Sequence, residues 1–316
     1  MGKVGGERNF GYGKKMDWAG KNALADRYGD GHYATRAAHV ERWGQFVSYA
    51  KREGIKDARA ITREVISTYG AYLAGQVRSG KIAVAYAQNL LSSVNVVMES
   101  MRGDRQRRVS PAALVGERRH ARKSAPAGLD RKPVSSAAAA LRECNQVGVA
   151  SVVELARDLG LRFREASLLD GRTALAQARA LGRVNITAGT KGGRGREVDR
   201  WVLASEQALQ SLERAVVLQN KSRNLIPPKM NYRQWRDQAY AAWRSTSTQY
   251  GLSGFHDLRA AYACDRYAQL TGCLPPAVTG CRQASKTADR SARQVLSQEL
   301  GHGRINVISS YVGSPH

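Results

Sequence analysis

Apolar residues recur every three or four positions along most of this chain, and in one region only do they alternate every second residue. The first spacing lines one face of a helix and the second one face of a strand, so the pattern restricts the fold to mainly α with a small antiparallel β-sheet. From about Tyr33 to Lys51 the stripe runs through Ala37, Val40, Trp43, Val47 and Ala50. Ile61 to Gln76 and Ile82 to Met101 repeat it, with a shorter pattern around Trp18 to Tyr28. These segments stop near Gly54, Gly80 and Gly103, and together they predict an all-helical N-terminal domain over 1–115. From Ser135 the helical spacing resumes, with a stripe from Val149 to Leu159 that ends at Gly160. The alternating region is Val184-Asn185-Ile186-Thr187, followed by a glycine turn from Lys191 to Val198 and a returning strand near Trp201-Val202-Leu203. Helices are expected again over Gln207–Leu218, Tyr232–Arg244, Gly254–Leu270, Ser291–Leu300 and Ile305–Tyr311, with a loop from Cys273 to Lys286.

Between the two helical regions the composition changes. Residues 102–132 hold ten basic side chains against three acidic ones, and Pro111, Pro126 and Pro133 interrupt any long helix. Residues 116–132 are expected to be a basic linker, leaving 133–316 as a second domain. Arg105, Arg107, Arg108, Arg118, Arg119 and Lys123 are candidate phosphate contacts, because a mobile cationic strap along a duplex gains affinity by releasing counterions. The whole chain points the same way: 316 residues carry a formal charge of +24, which attracts and holds polyanions. No apolar run is long enough to span a bilayer, no signal-peptide core follows Met1, and position 6 is Gly6, which does not fit a myristoylation signal. Nucleic acid is the expected partner, and the cytoplasm the expected compartment. Cys144, Cys264, Cys273 and Cys281 show no Cys-x-x-Cys spacing, so free thiols and no structural metal are expected.

Six residues could build a site for phosphate chemistry. His256 and Arg259 stand three apart and share a helix face. Leu300-Gly301-His302 is followed nine residues later by Tyr311. Arg162 lies in Leu161-Arg162-Phe163-Arg164-Glu165 at a helix start, where free backbone N–H groups favour an anion. Lys191 opens the glycine turn of the hairpin, and no Gly-Lys-Ser/Thr follows it, which excludes a phosphate-binding P-loop.

Taken in order, the arginine motif, the hairpin lysine, His256-x-x-Arg259, Leu300-Gly301-His302 and Tyr311 resemble the tyrosine recombinase (phage integrase) family over roughly 135–313. That resemblance implies a SAM-like core-binding domain followed by an α+β catalytic domain that together grip double-stranded DNA. It implies Tyr311 as the nucleophile that forms a 3′-phosphotyrosine link and frees a 5′-hydroxyl. Arg162 and Arg259 would hold the nonbridging oxygens with forked hydrogen bonds. Lys191 would protonate the leaving oxygen, His256 would assist as base and acid, and His302 would hydrogen-bond a phosphate oxygen. Neighbouring cations favour the phenolate of a group that otherwise titrates near pH ~10. The covalent link conserves bond energy, so rejoining needs neither ATP nor metal, and no cofactor is expected. The family also implies a tetramer on two DNA sites, accessory DNA-bending or directionality proteins, and a bacterial mobile element or prophage as the source.

Two departures from the family pattern stand out. The stretch between Arg259 and His302 is longer than in compact members, as is Thr173–Arg183. Only five residues follow Tyr311, where many members carry a segment that packs on a neighbouring protomer. Three other readings remain open at this point: a catalytically silent DNA-binding relative, a topoisomerase-like nicking and closing enzyme, and a basic nucleoid-type binder indifferent to Tyr311→Phe.

Overall fold

A computed structural model describes residues 7–117, 121–191, 195 and 197–316. The chain divides into two compact units, 1–119 and 120–316. The first holds helices α1 (Met16–Tyr28), α2 (Tyr33–Arg52), α3 (Arg63–Arg78), α4 (Val84–Arg102) and the short α5 (Pro111–Val115). Apolar stripes on α1, α2 and α4 meet in one core around the fully buried Trp43 and Phe46, against which Ile66 and Leu73 of α3 also pack. Trp43 buries its ring without losing a hydrogen bond, because Nε1 donates to the Met16 carbonyl at 2.8 Å. Thr62 starts α3 by accepting from the Val65 backbone N–H, and Gly103 ends α4 in the left-handed conformation at φ +80°.

The second unit contains α6 (Arg131–Glu143), α7 (Val147–Asp158), α8 (Phe163–Leu168), α9 (Gly171–Leu181), β1 (Arg183–Asn185), β2 (Trp201–Leu203), α10 (Glu206–Gln219), α11 (Tyr232–Gln249), α12 (Phe255–Thr271), α13 (Pro276–Thr279), α14 (Lys286–Glu299) and α15 (Ser309–Val312). Helix α7 is apolar nearly all round, with Val149, Val152, Val153, Leu155 and Ala156 at zero exposure. It can be so because α6, α10 and α12 cover its different faces. The two strands pair antiparallel with Val184 opposite Val202, both fully buried.

Two expectations need correction. The stretch Cys273–Lys286 is not all loop: Pro276 starts the one-turn helix α13, a position where its missing N–H costs nothing. Helix α14 begins at Lys286 rather than Ser291, because Ser285 accepts from the Ala288 backbone N–H and caps it. The long stretch Thr173–Arg183 is explained by α9, which Asp170 caps. Part of the expected linker is held to the second unit. Arg122 donates through its backbone N to the Ser309 carbonyl at 2.8 Å and through Nη2 to Asp257 at 2.5 Å, and Ala127 N donates to Asp257 at 2.7 Å.

Candidate active site

Gly160 and Gly301 make the turns on which the site depends. Gly160 follows α7 at φ +59°, where a Cβ would collide with the Tyr262 ring. This turn delivers Arg162 to the N-cap of α8 with a quarter of its side chain exposed. Glu165, one turn into α8 and fully buried, accepts from the Arg162 backbone N–H at 2.7 Å and from its guanidinium Nη1 at 2.5 Å. Gly301, at φ +61°, closes α14 and turns His302 back, so that its N–H donates to the Ser297 carbonyl at 2.9 Å.

Arg259 is the centre of the arrangement and has no exposed surface. Projecting from α12, it donates from Nη1 to the Gly160 carbonyl and from Nη2 to the Leu300 carbonyl. Its Nη1 is 3.5 Å from Glu165 Oε2, and its Nε donates to the Tyr311 phenolic oxygen at 3.4 Å. Arg162 Nη2 reaches the same Leu300 carbonyl at 3.4 Å. Tyr311, on α15 and 2% exposed, also meets His302 Nε2 at 2.9 Å. His256, one turn before Arg259, is exposed, with its ring centroid 5.1 Å from that of Tyr311.

Burial and neighbouring charges together set the protonation states here. Burial lowers Arg259 to about 10, helped by the neighbouring Arg200 and opposed by Tyr311. Glu165 is pushed up by burial, but Arg200, Arg259 and Arg162 outweigh that and hold it at about 2. His302 falls to about 3 through desolvation first and the charges of Arg259, Arg162 and Arg200 next. His256 is lowered by desolvation and then by Arg259, Arg162 and Arg122. Both imidazoles are therefore neutral at pH ~7, and the guanidiniums supply the positive charge.

The structure thus brings five of the six candidate residues together: Arg162, His256, Arg259, His302 and Tyr311. Lys191 is exposed on the loop after β1, two residues past Gly189, which packs against the backbone of Arg164 and Glu165, and among the described residues it makes no hydrogen bond or ion pair. Of the candidate phosphate contacts, Arg105 and Arg108 pair with Glu99 at 3.1 and 3.4 Å. Arg107 is half-buried and donates to the Arg59 and Ile61 carbonyls. Lys123 is exposed, and Arg118 and Arg119 lie outside the described residues. No group of three or more His, Cys, Asp or Glu side chains among the described residues could hold a metal ion.

Sequence reasoning missed Arg200. It is 5% exposed, and its Nη1 lies 2.8 Å from Glu165 Oε1. The signal was strand alternation, which puts Arg200 on the same inward face as Val202. Glu165, three residues after Arg162 in the same motif, is the carboxylate that three arginines share.

Comparison with known proteins bears on the fold and on part of the sequence. Residues 118–265 match the family model described as Integrase. The fold is similar to that of lambda integrase, solved as a dimer bound to a COC′ core site, at 16% identity and a TM-score of 0.59, covering 95% of each chain. It is also similar to that of the Tn1549 transposon integrase, solved in complex with transposon right-end DNA, at 9% identity and a TM-score of 0.58, covering 92% of this chain and 94% of that one. No curated protein matches in sequence. No described helix is long and apolar enough to cross a membrane.

Proposed function

We propose, for a chain whose residues 118–265 carry the integrase family's sequence pattern and whose fold is that of the tyrosine recombinases, that it is a site-specific DNA recombinase acting through Tyr311. The observation that carries the reading is the Tyr311 hydroxyl, 2.9 Å from His302 Nε2 and 3.4 Å from Arg259 Nε, with Arg162 on the same Leu300 carbonyl as Arg259. A phosphodiester gains negative charge on its nonbridging oxygens as it is attacked. Preorganised guanidiniums in a desolvated site stabilise that charge, and one such donor is commonly worth 10²–10³ in rate, roughly 3–4 kcal/mol.

In this mechanism the Tyr311 oxygen attacks phosphorus and the phosphorus–5′-oxygen bond breaks. Lys191 gives the leaving oxygen its proton, and the other strand end stays attached as a 3′-phosphotyrosine. Attack by a new 5′-hydroxyl reverses the step and rejoins the DNA. His302 holds a phosphate oxygen, and neutral His256 takes the phenolic proton as Tyr311 attacks and returns it when the strand is rejoined. Double-stranded DNA is the substrate, and integration or excision of a bacterial mobile element or prophage in the cytoplasm is the setting. The active assembly is a tetramer on two DNA sites, with accessory DNA-bending or directionality proteins as further partners. The solved complexes with similar folds, one a dimer on a core site and one with transposon-end DNA, support that setting.

The test supplies nicked duplexes carrying the sequences that flank the chain's own gene, so that the short strand diffuses away after cleavage. A protein–DNA adduct that survives denaturation, forms with the wild type and is absent with Tyr311→Phe is expected. Tight, salt-sensitive binding with no adduct in either protein would replace the reading with a silent DNA-binding relative.

A further inference from the structure

One buried cation outside the six candidate residues shares their carboxylate. Arg200 precedes β2, and its backbone holds the hairpin register: its carbonyl accepts from Ile186 N at 2.9 Å and its N–H donates to Asn185 Oδ1 at 2.9 Å. Its side chain therefore starts from a fixed place. Nε donates to the Glu299 carbonyl at 2.7 Å. Nη1 forms an ion pair with Glu165 Oε1 at 2.8 Å, and Nη2 has no acceptor among the described residues. The same side chain lies against Gly301, where a Cβ would meet Arg200 Cδ at 2.9 Å. One guanidinium thus touches the carboxylate of α8, the last turn of α14 and the glycine before His302.

We infer that Arg200 is a positioning residue of the proposed phosphodiester site: it takes up the charge of Glu165, so that Arg162 and Arg259 keep theirs for the phosphate, and it seats the Leu300-Gly301-His302 turn. The inference rests on the recombinase reading for its substrate. Three guanidiniums face one carboxylate, a net charge of two positive units. Without Arg200 one unit remains, and a buried carboxylate beside the phosphate repels it almost unscreened. Glu165 cannot simply be dispensed with, because it holds the Arg162 backbone and guanidinium together. A third cation resolves the conflict between needing that carboxylate as a holder and needing a positive site.

The experiment compares wild type, Arg200→Gln and Arg200→Lys as full chains, with thermal unfolding recorded for each. Adduct formation on the nicked duplexes is separated into DNA affinity and rate at saturating DNA. The His302 ring is titrated by NMR on the free protein, where Arg259, Arg162, Arg200, His256 and the Tyr311 hydroxyl face it. Arg200→Gln is expected to slow the saturated rate about 10–100-fold, with DNA affinity within roughly threefold, and to raise the His302 midpoint. Arg200→Lys, which keeps the charge, is expected to restore the midpoint and most of the rate. Equal slowing in both variants with an unmoved midpoint would reduce Arg200 to packing and overturn the inference. If Arg200→Gln does not fold, Arg200→Lys decides alone: a rate near wild type supports the charge role, and a rate down 10-fold or more overturns it. If the wild type forms no adduct, the recombinase reading fails, while the His302 midpoint still answers for Arg200: a rise in Arg200→Gln supports its charge role and no rise overturns it.

Discussion

His302 Nε2 lies 2.9 Å from the phenolic oxygen of Tyr311, across the turn that joins α14 to α15. Desolvation and three nearby guanidiniums hold that imidazole at about 3, against an ordinary 6.5. A neutral ring can accept the phenolic proton or donate its own, whereas an imidazolium can only donate. The His302 ring is therefore neutral throughout the range where most histidines switch. NMR titration of His302 should show a midpoint well below 6.5, and the adduct rate should not fall from about pH 7 to about pH 5 through protonation of His302. A midpoint at the ordinary value would show that the arginine cluster does not act on this ring.

Lys191 is exposed on the loop after β1 and without a described partner. A side chain that makes no contact in the free protein contributes little to stability, so Lys191→Ala should change it by no more than about 0.5 kcal/mol. As the proposed general acid it should still cost about 10²–10⁴ in cleavage rate. A substrate whose bridging 5′-oxygen is replaced by sulfur separates the two explanations, because a thiolate leaves without a proton. Cleavage of that substrate by Lys191→Ala should approach the wild-type rate. A deficit that persists on the sulfur substrate would assign Lys191 to binding instead.

The basic surface predicts a salt dependence that distinguishes free cations from occupied ones. Lys123 is exposed with no described partner, so Lys123→Ala should lower the slope of log affinity against log salt by about 1. Arg105 already pairs with Glu99 at 3.1 Å and must leave it to meet a phosphate. Arg105→Ala should therefore lower the slope by less. Filter binding across a salt series, on two unrelated duplexes, should give the same changes on both, because phosphate contacts carry no sequence information.

Much of the architecture could be read from spacing. The apolar stripe predicts α2 from Tyr33 to Lys51, and the helix runs Tyr33–Arg52, because its inward stripe is continuous and a charged cluster ends it. The strands were found from alternation around Val184 and Val202. The charge arrangement was harder to read. Arg200 meets the Glu299 carbonyl 99 residues away, and Arg259 meets Glu165 94 residues away. No periodicity links such pairs, since their meeting is decided by how α8, α12 and the hairpin pack. Helix α14 starts early for a local reason, the Ser285 cap, which the apolar stripe alone does not report.

Glu165 gives the clearest link between the site and stability. Its carboxyl sits at about 2 against an ordinary 4.5, because the charges of Arg200, Arg259 and Arg162 overcome the burial that would raise it. The folded state therefore holds the carboxylate more firmly than the unfolded state does. That contribution is complete above the unfolded value of 4.5 and is lost as pH falls towards about 2. Removing the carboxylate by Glu165→Ala leaves Arg259 and Arg200 buried without a counter-charge, at a cost of about 3–5 kcal/mol. Glu165→Gln keeps the shape and an acceptor for the Arg162 N–H, but has nothing to titrate. Urea unfolding at neutral pH should thus rank wild type above Glu165→Gln, and Glu165→Gln above Glu165→Ala. Between pH 4.5 and about 2 the wild type should lose stability more steeply than Glu165→Gln. Parallel acid profiles for the two proteins would mean that the three arginines do not hold this carboxylate in its charged form.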